Sequence, residues 1–191
     1  MIKVEFIEIN GNKVEEKRRG VIIFMEKVKF NELSTEVMDA IKIGAFLTVK
    51  DDEELNTMTI GWGSIGVIWG QPMFTVLVRH SRYTHKLIEN TDQFTVSVPF
   101  GNKLKRETDY CGTHSGRDVN KFEELGLELI EGKELDTPFI KGNDAHYECK
   151  IVYKQDMESD LLSDQTIKDQ YYPQGDYHTI YYGKIIGAYK E

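Results

Sequence analysis

The stretch Asn56–Phe94 reads NTMTIGWGSIGVIWGQPMFTVLVRHSRYTHKLIENTDQF, and the rest of the chain becomes legible from it. It contains both tryptophans, Trp62 and Trp69. Thr57–Trp62 and Met73–Val78 are rich in β-branched and aromatic residues and predict two strands. Between them Gly61, Gly63, Gly66 and Gly70 permit sharp bends or close backbone approach, as at the corners of a β-barrel. The run RHSRYTHK then turns abruptly basic and hydroxyl-rich, and Ser81–Asn90 predicts a short helix with Ser81 as its cap. Charge sets the segment apart. Leu55–Ile88 has no Asp or Glu, although by composition a window of that length would hold between five and six. A segment that keeps Arg79, Arg82 and Lys86 while excluding carboxylates suits an anion, and fixed cations beside hydroxyl and amide donors suit a phosphorylated one.

Outward from this stretch, 191 residues suffice for one domain with a substantial core. The expectation is a single domain over 1–191, in which 1–44 is an N-terminal extension packing on a barrel. A net charge of −8 argues against general nucleic-acid or anionic-membrane binding. The start, MIKVEFIEIN, has acids where a signal peptide needs a basic end, and no apolar run approaches the length of a spanning helix. A cytoplasmic protein is expected. Two cysteines, Cys111 and Cys149, are too few for a disulfide scaffold. Five histidines without HExxH or Cys-pair spacing give no expectation of a metal site.

In chain order, Ile2–Ile9 alternates as an edge strand and Asn10–Asn12 makes a turn. Val21–Met25 is a short strand. Ser34 and Thr35 cap a helix through Val37, Met38 and Ile41 that Gly44 ends. Ala45–Lys50 and Gln93–Val98 are strands, 101–127 is helical in pieces, and His146–Tyr153 and Tyr177–Tyr189 are long strands. The segment between the last two is a loop with one helical turn. Six or more strands with short inserted helices make the chain mainly β, a closed or split antiparallel barrel of Greek-key-like form.

The central donor set meets the demands of a flavin mononucleotide. Arg79, Ser81, Arg82 and Thr84 lie where a strand passes into a helix and can grip a phosphate. Asn56, Thr57, Met58, Thr59 and Trp62 lie on an adjoining strand and can present backbone and side chains to a flat ring. Plainer roles are open for the same residues: Ser81 as a cap with solvated arginines, Trp62 and Trp69 as core, Asn56 as a turn residue after Asp51–Glu54.

The run NTMTIGWGSIG…QPMFTVLVRHSRYTHKLIENTDQFTVSVP resembles the flavin reductase-like family, particularly its flavoredoxin-type members with an FMN-binding split barrel. Ser115–Leu127 (SGRDVNKFEELGL), Glu148–Val152 (ECKIV) and Gly175–Ile186 (GDYHTIYYGKII) resemble that family's following segments in the same order. The resemblance covers roughly Ala45–Ile186. It implies a homodimer with FMN near the subunit interface, and NADH or NADPH as co-substrate. Asn56, Thr57, Met58, Thr59 and Trp62 would line the ring, Arg79, Ser81, Arg82, Tyr83 and Thr84 would surround the phosphate, and Lys121 would be a further phosphate contact. Trp62–Gly63 stand where many reductases carry a small polar residue, so the resemblance bears more directly on flavin binding than on reductase activity.

His178, in the GDYH segment, is a candidate for the nicotinamide side of the site, or an ordinary strand histidine. Cys111 lacks a CxxC partner and is read as an inert thiol. His146 and Glu148 share a strand face but lack a third ligand. Three functions remain in competition: an NAD(P)H-dependent flavin reductase, an electron-transfer protein that holds FMN and uses a redox partner protein, and a flavin-binding protein without turnover. A kinship with pyridoxamine-phosphate oxidases is less well matched by these runs.

Overall fold

In the computed structural model the described residues are 6–9, 13–18 and 21–191 apart from residue 53, with side chains from Phe24 onward. The expected turn at 10–12 lies outside them, as does the first part of the expected strand Ile2–Ile9, whose described part is β1 (Phe6–Ile9). With β2 (Lys13–Arg18) and β3 (Val21–Lys27) it forms an antiparallel meander.

The expected antiparallel barrel follows. Helix α1 (Ser34–Ile41) leads into β4 (Ala45–Lys50), β5 (Leu55–Ile60), β6 (Gly63–Ile68) and β7 (Gln71–Arg79). Next come α2 (Tyr83–Ile88), β8 (Gln93–Val98), α3 (Lys105–Thr113), α4 (Lys121–Leu125) and the short pair β9 (Leu129–Ile130) and β10 (Phe139–Ile140). The chain closes with β11 (Ala145–Asp156), α5 (Gln165–Tyr171) and β12 (His178–Lys190). Antiparallel pairing runs β6–β7–β12–β11–β8–β4–β5. The C-terminal end of β12 pairs with β3, which carries the N-terminal meander.

The split in this barrel positions the site. Strand β6 pairs with β7 only as far as Val76, so the outer edge of Leu77–Arg79 is left over. Strand β5 pairs with β4 alone among the described residues, and its second edge faces that leftover stretch. A groove therefore opens between β5 and the end of β7. Alternation along the strands sends Leu47, Val49, Phe74, Val76, Val78, Val96, Val98 and Tyr147 into one core, with Val37 and Ile41 of α1 and Leu87 and Ile88 of α2 against it. Helix α2 has six residues, too few to stand alone, so packing holds it. Leu87 and Ile88 are fully buried, worth about 1.5–3 kcal/mol each.

Several local readings change. The glycine-rich stretch is a strand, β6, rather than a series of bends, and Trp69–Gly70 turn it back with positive φ at both residues. At Gly63 the expected close approach holds, since a Cβ there would lie 2.8 Å from the Thr75 carbonyl oxygen. Neither expected serine cap forms: Ser34 Oγ donates to the Asn31 carbonyl, and Ser81 is engaged with Asp176. Trp62 falls beyond the end of β5. Between β11 and β12 lie a single 3-10 turn at Ser159–Leu161 and α5, capped by Asp164 Oδ1, which accepts from the Thr166 and Ile167 amides. Among the described residues no helix is long and apolar enough to cross a membrane.

Candidate functional site

The groove has two adjoining parts that share Met58 and Arg82. The outer part lies between the β5 edge (Met58–Gly61), Trp62, the end of β7 and His178. The inner part lies beneath the start of α2, between Asn56, Thr84, the 113–117 loop and Lys121.

Lys121 dominates the inner recess. Asn120 caps α4 by accepting from the Phe122 and Glu123 amides, which fixes Lys121 as the first helical residue and turns its side chain inward. The residue is 3% exposed, and its ammonium donates to the carbonyls of Thr57 (2.8 Å) and Cys111 (3.0 Å). Burial lowers its pKa, and the Arg82 charge adds to that. A buried ammonium whose partners are neutral carbonyls retains an unmatched charge and a third donor, which a bound anion would complement.

Around it stand further donors. Asn56 Nδ2 donates to Thr84 Oγ1 at 2.8 Å, which leaves the Thr84 hydroxyl proton to donate elsewhere. Arg82 Nη1 donates to the Gly112 carbonyl at 3.1 Å and borders both parts of the groove. The Arg117 guanidinium lies 5.4 Å from the Tyr83 ring centre, and the Tyr83 hydroxyl donates to Glu54. Gly116 closes the loop against Asn56: a Cβ there would meet Asn56 Oδ1 at 2.1 Å.

Arg79 and Ser81 border the groove but turn their donors to the 171–176 segment. Arg79 donates to the carbonyls of Asp176 (2.7 Å) and Tyr171 (2.9 Å), and lies 5.0 Å from the Tyr172 ring centre. The Ser81 amide and hydroxyl both donate to the Asp176 carboxylate, at 3.0 and 2.7 Å. Burial alone would raise the Asp176 carboxyl, but the Ser81 bonds and the Arg79 charge outweigh it and hold it below the usual carboxylate range. Thr57 reaches the site only through its carbonyl, because its hydroxyl bonds inward to Thr48 and Leu47. The Thr59 hydroxyl is tied to the Thr108 carbonyl of α3.

At the mouth, Trp62 is 38% exposed, edge-on to Tyr171 and against His178, with ring centres 5.0 Å apart in each case. It belongs neither to the core nor to open surface. His178 is buried, and its Nδ1 hydrogen-bonds with the Tyr172 hydroxyl at 2.7 Å. Burial, aided by the Arg79 charge, lowers its pKa to about 4, so the imidazole is neutral at pH 7. Cys111 and Cys149 are buried free thiols, and burial pushes Cys111 up to about 11. His146 hydrogen-bonds Ser97 and Glu191, while Glu148 accepts from three backbone amides and Tyr189.

The sequence reading missed Ser115, Gly116 and Arg117 as recess residues, and Asp176 and Tyr172 as partners of Arg79 and His178. The signal for the first group was available: SGR repeats the hydroxyl–cation chemistry of HSR.

The flavin reductase like domain matches residues 44–191. An uncharacterised protein of Archaeoglobus fulgidus is 38% identical over 107 residues, 56% of this chain and 59% of that protein, so the chain spans somewhat more than half the length of that curated relative. Among solved structures, flavoredoxin from Methanosarcina acetivorans superposes with a TM-score of 0.61 at 28% identity, covering 78% of this chain and 68% of the other. A NADH:FAD oxidoreductase from Streptomyces globisporus gives 0.58 at 24% identity over 78% and 75%, a likeness of fold.

Proposed function

Because the chain belongs to the flavin reductase-like family, we propose that it is an FMN-binding oxidoreductase whose flavin is reduced by NADH or NADPH. The observation that carries the reading is Lys121, a buried ammonium held by two carbonyls at the floor of a recess rich in cations and hydroxyls. The residues present fit a flavin phosphate there: Lys121, Arg82, Thr84 and Arg117 supply charge and donors, and Asn56 orients Thr84. The edge of β5 over Met58–Gly61, which pairs with no strand among the described residues, offers main-chain donors and acceptors for the ring's polar rim. When bound, FMN supplies the hydride and electron chemistry, and the chain positions it and controls access.

The chain's own part is limited and definite. Neutral His178, fixed by Tyr172, adds no charge to that of Arg79 and Arg82 at the mouth, and Trp62 narrows the opening through which a nicotinamide would enter. Arg79 and Ser81 fix the 171–176 turn that carries His178 into this position. Within this reading the protein is a cytoplasmic homodimer.

A second reading is an electron carrier that holds FMN and receives electrons from a protein. It is favoured by the partly closed mouth at Trp62 and by the 28% identity to a flavoredoxin. Anaerobic mixing of the FMN-loaded protein with NADH and with NADPH decides between them. Loss of the flavin's visible absorption is expected with at least one nucleotide, and persistence with both would leave the carrier. Sedimentation at micromolar concentration tests the dimer.

A further inference from the structure

Beside the groove, on the far side of β12, a second cluster lies outside the flavin reading. Along β12 His178 faces the groove, so its neighbour Thr179 faces the opposite way. There Thr179 Oγ1 is met by His80 Nε2 at 3.1 Å and by His85 Nε2 at 2.9 Å, and it donates to Asp156 Oδ1. His80 Nε2 also lies 3.1 Å from Asp156 Oδ1, and the two imidazoles stand edge to face at 4.9 Å. One ligand atom from each of His80, His85 and Asp156 falls within 4.8 Å of the others.

We propose that His80, His85 and Asp156 bind one divalent transition-metal ion of the zinc class, with the Thr179 hydroxyl or a water completing the shell. Two imidazoles and a carboxylate form a donor set that zinc, cobalt and nickel favour, whereas calcium and magnesium favour oxygen alone. Ligands about 2.1 Å from one ion in a tetrahedral shell lie about 3.4 Å apart. His80 Nε2 and Asp156 Oδ1 already stand 3.1 Å apart. The wider separations, up to 4.8 Å, have to close by as much as about 1.4 Å, which rotation of the exposed His80 and Asp156 side chains can supply. Charge favours a cation as well. The neighbouring Glu89 is matched by Lys154 at 2.6 Å, so Asp156 contributes the unbalanced negative charge.

The position gives the ion a purpose. His80 sits in the turn between Arg79 and Ser81, His85 lies in α2, Asp156 ends β11, and Thr179 belongs to β12. A metal here would clamp the turn beneath the groove to the two longest strands. The sequence conceals the site, because Asp156 is far along the chain from His85 and only the pairing of β11, β12 and β7 brings them together.

The test uses the full chain stripped with a chelator and titrated with Zn²⁺ and Co²⁺. One equivalent should bind per chain, with cobalt giving ligand-field absorption of a low-symmetry nitrogen–oxygen site and Zn²⁺ raising the thermal midpoint. Asp156→Asn is the decisive variant: it is nearly isosteric, exposed, and keeps an oxygen for Thr179. Since loss of an outer-shell partner alone weakens metal binding about 10- to 100-fold, this change should weaken Zn²⁺ at least about tenfold. His85→Ala should do the same. Less than one equivalent bound by the unaltered chain, or undiminished affinity in Asp156→Asn and His85→Ala, overturns the proposal and leaves a hydrogen-bond cluster centred on Thr179. Riboflavin and FMN binding are measured alongside, so a failed metal site and a failed flavin site are read separately.

Discussion

Replacing Lys121 with methionine keeps the stem's bulk and removes the ammonium. The lysine's ammonium donates to two carbonyls and, among the described residues, pairs with no carboxylate, so the change has two separable effects. The Thr57 and Cys111 carbonyls lose a donor, which costs about 1–3 kcal/mol each if water does not replace it. Relief from burying a charge offsets part of that. Total stability is thus a poor readout, and the ratio of two affinities is a good one. A phosphate on this ammonium makes a charge-assisted contact worth about 1.5–3 kcal/mol. Its loss corresponds to roughly 10- to 150-fold weaker FMN binding. Riboflavin has the same ring and ribityl chain without the phosphate, so any general damage to the groove affects both ligands. Fluorescence titration of the apoprotein should therefore give an FMN dissociation constant that rises 10- to 150-fold in Lys121→Met, with riboflavin nearly unchanged. Equal losses for both ligands, or none for FMN, would refute the assignment of the recess to phosphate.

Three other outcomes are expected. His178 has its pKa lowered by burial to about 4, below the ordinary 6.5, so the unfolded chain binds the extra proton first and stability falls as pH drops from about 6.5 to 4. The lowering is worth at most about 3 kcal/mol, and urea midpoints at pH 7 and pH 4.5 should diverge less in His178→Asn than in the parent. Trp62→Ala, at a residue 38% exposed, should cost about 1 kcal/mol or less, hence a thermal midpoint shift under about 4 °C, while hastening anaerobic reduction by opening the mouth. A larger thermal loss with no faster reduction would make the indole structural. Glu148→Ala removes one carboxylate oxygen that accepts from the Lys133, Glu134 and Leu135 amides and another that accepts from the Tyr189 hydroxyl, so equilibrium urea unfolding should register a loss of about 3 kcal/mol or more. A loss under about 1 kcal/mol would mean that solvent already serves those amides.

The fold was legible where a residue pattern answers to a single period. AFLTVK, MFTVLV and QFTVSV alternate or run apolar between turn residues, and they became β4, β7 and β8. Strand β6 was not legible, because GSIGVI offers few side chains to pack and its pairing comes from the tight Trp69–Gly70 turn and from β7. The recess was legible in part. The missing acids between Leu55 and Ile88 and the basic run marked its position, and Arg82, Thr84, Asn56 and Lys121 do converge there. What a single strand and turn cannot reveal is the direction each donor takes. Nothing in RHSRYT says that Arg79 and Ser81 turn toward residues nearly a hundred positions later, since those contacts exist only after β7 and β12 pair His178 opposite Arg79.

That pairing also explains why one short turn bears so much of the chemistry. At His178 and Thr179 the period of two divides β12 between two surroundings: the first ring borders the groove, and the second side chain meets His80, His85 and Asp156. Opposite them, the residues from Arg79 to Arg82 divide in the same way. Arg79 and Ser81 hold Asp176, His80 joins the Thr179 cluster, and Arg82 borders both parts of the groove. Arg79 and Ser81 are joined through Asp176, and His80 and His85 through Thr179. Asp176 is the point where this is most exposed to test. Its carboxylate takes both donors of Ser81 and its carbonyl takes Arg79, so it fixes the height of His178 at the mouth and the start of α2 above the recess together. The two parts of the groove are thereby built as one unit, and under the proposed function FMN affinity and the rate of reduction by NADH or NADPH should change together when that carboxylate is removed.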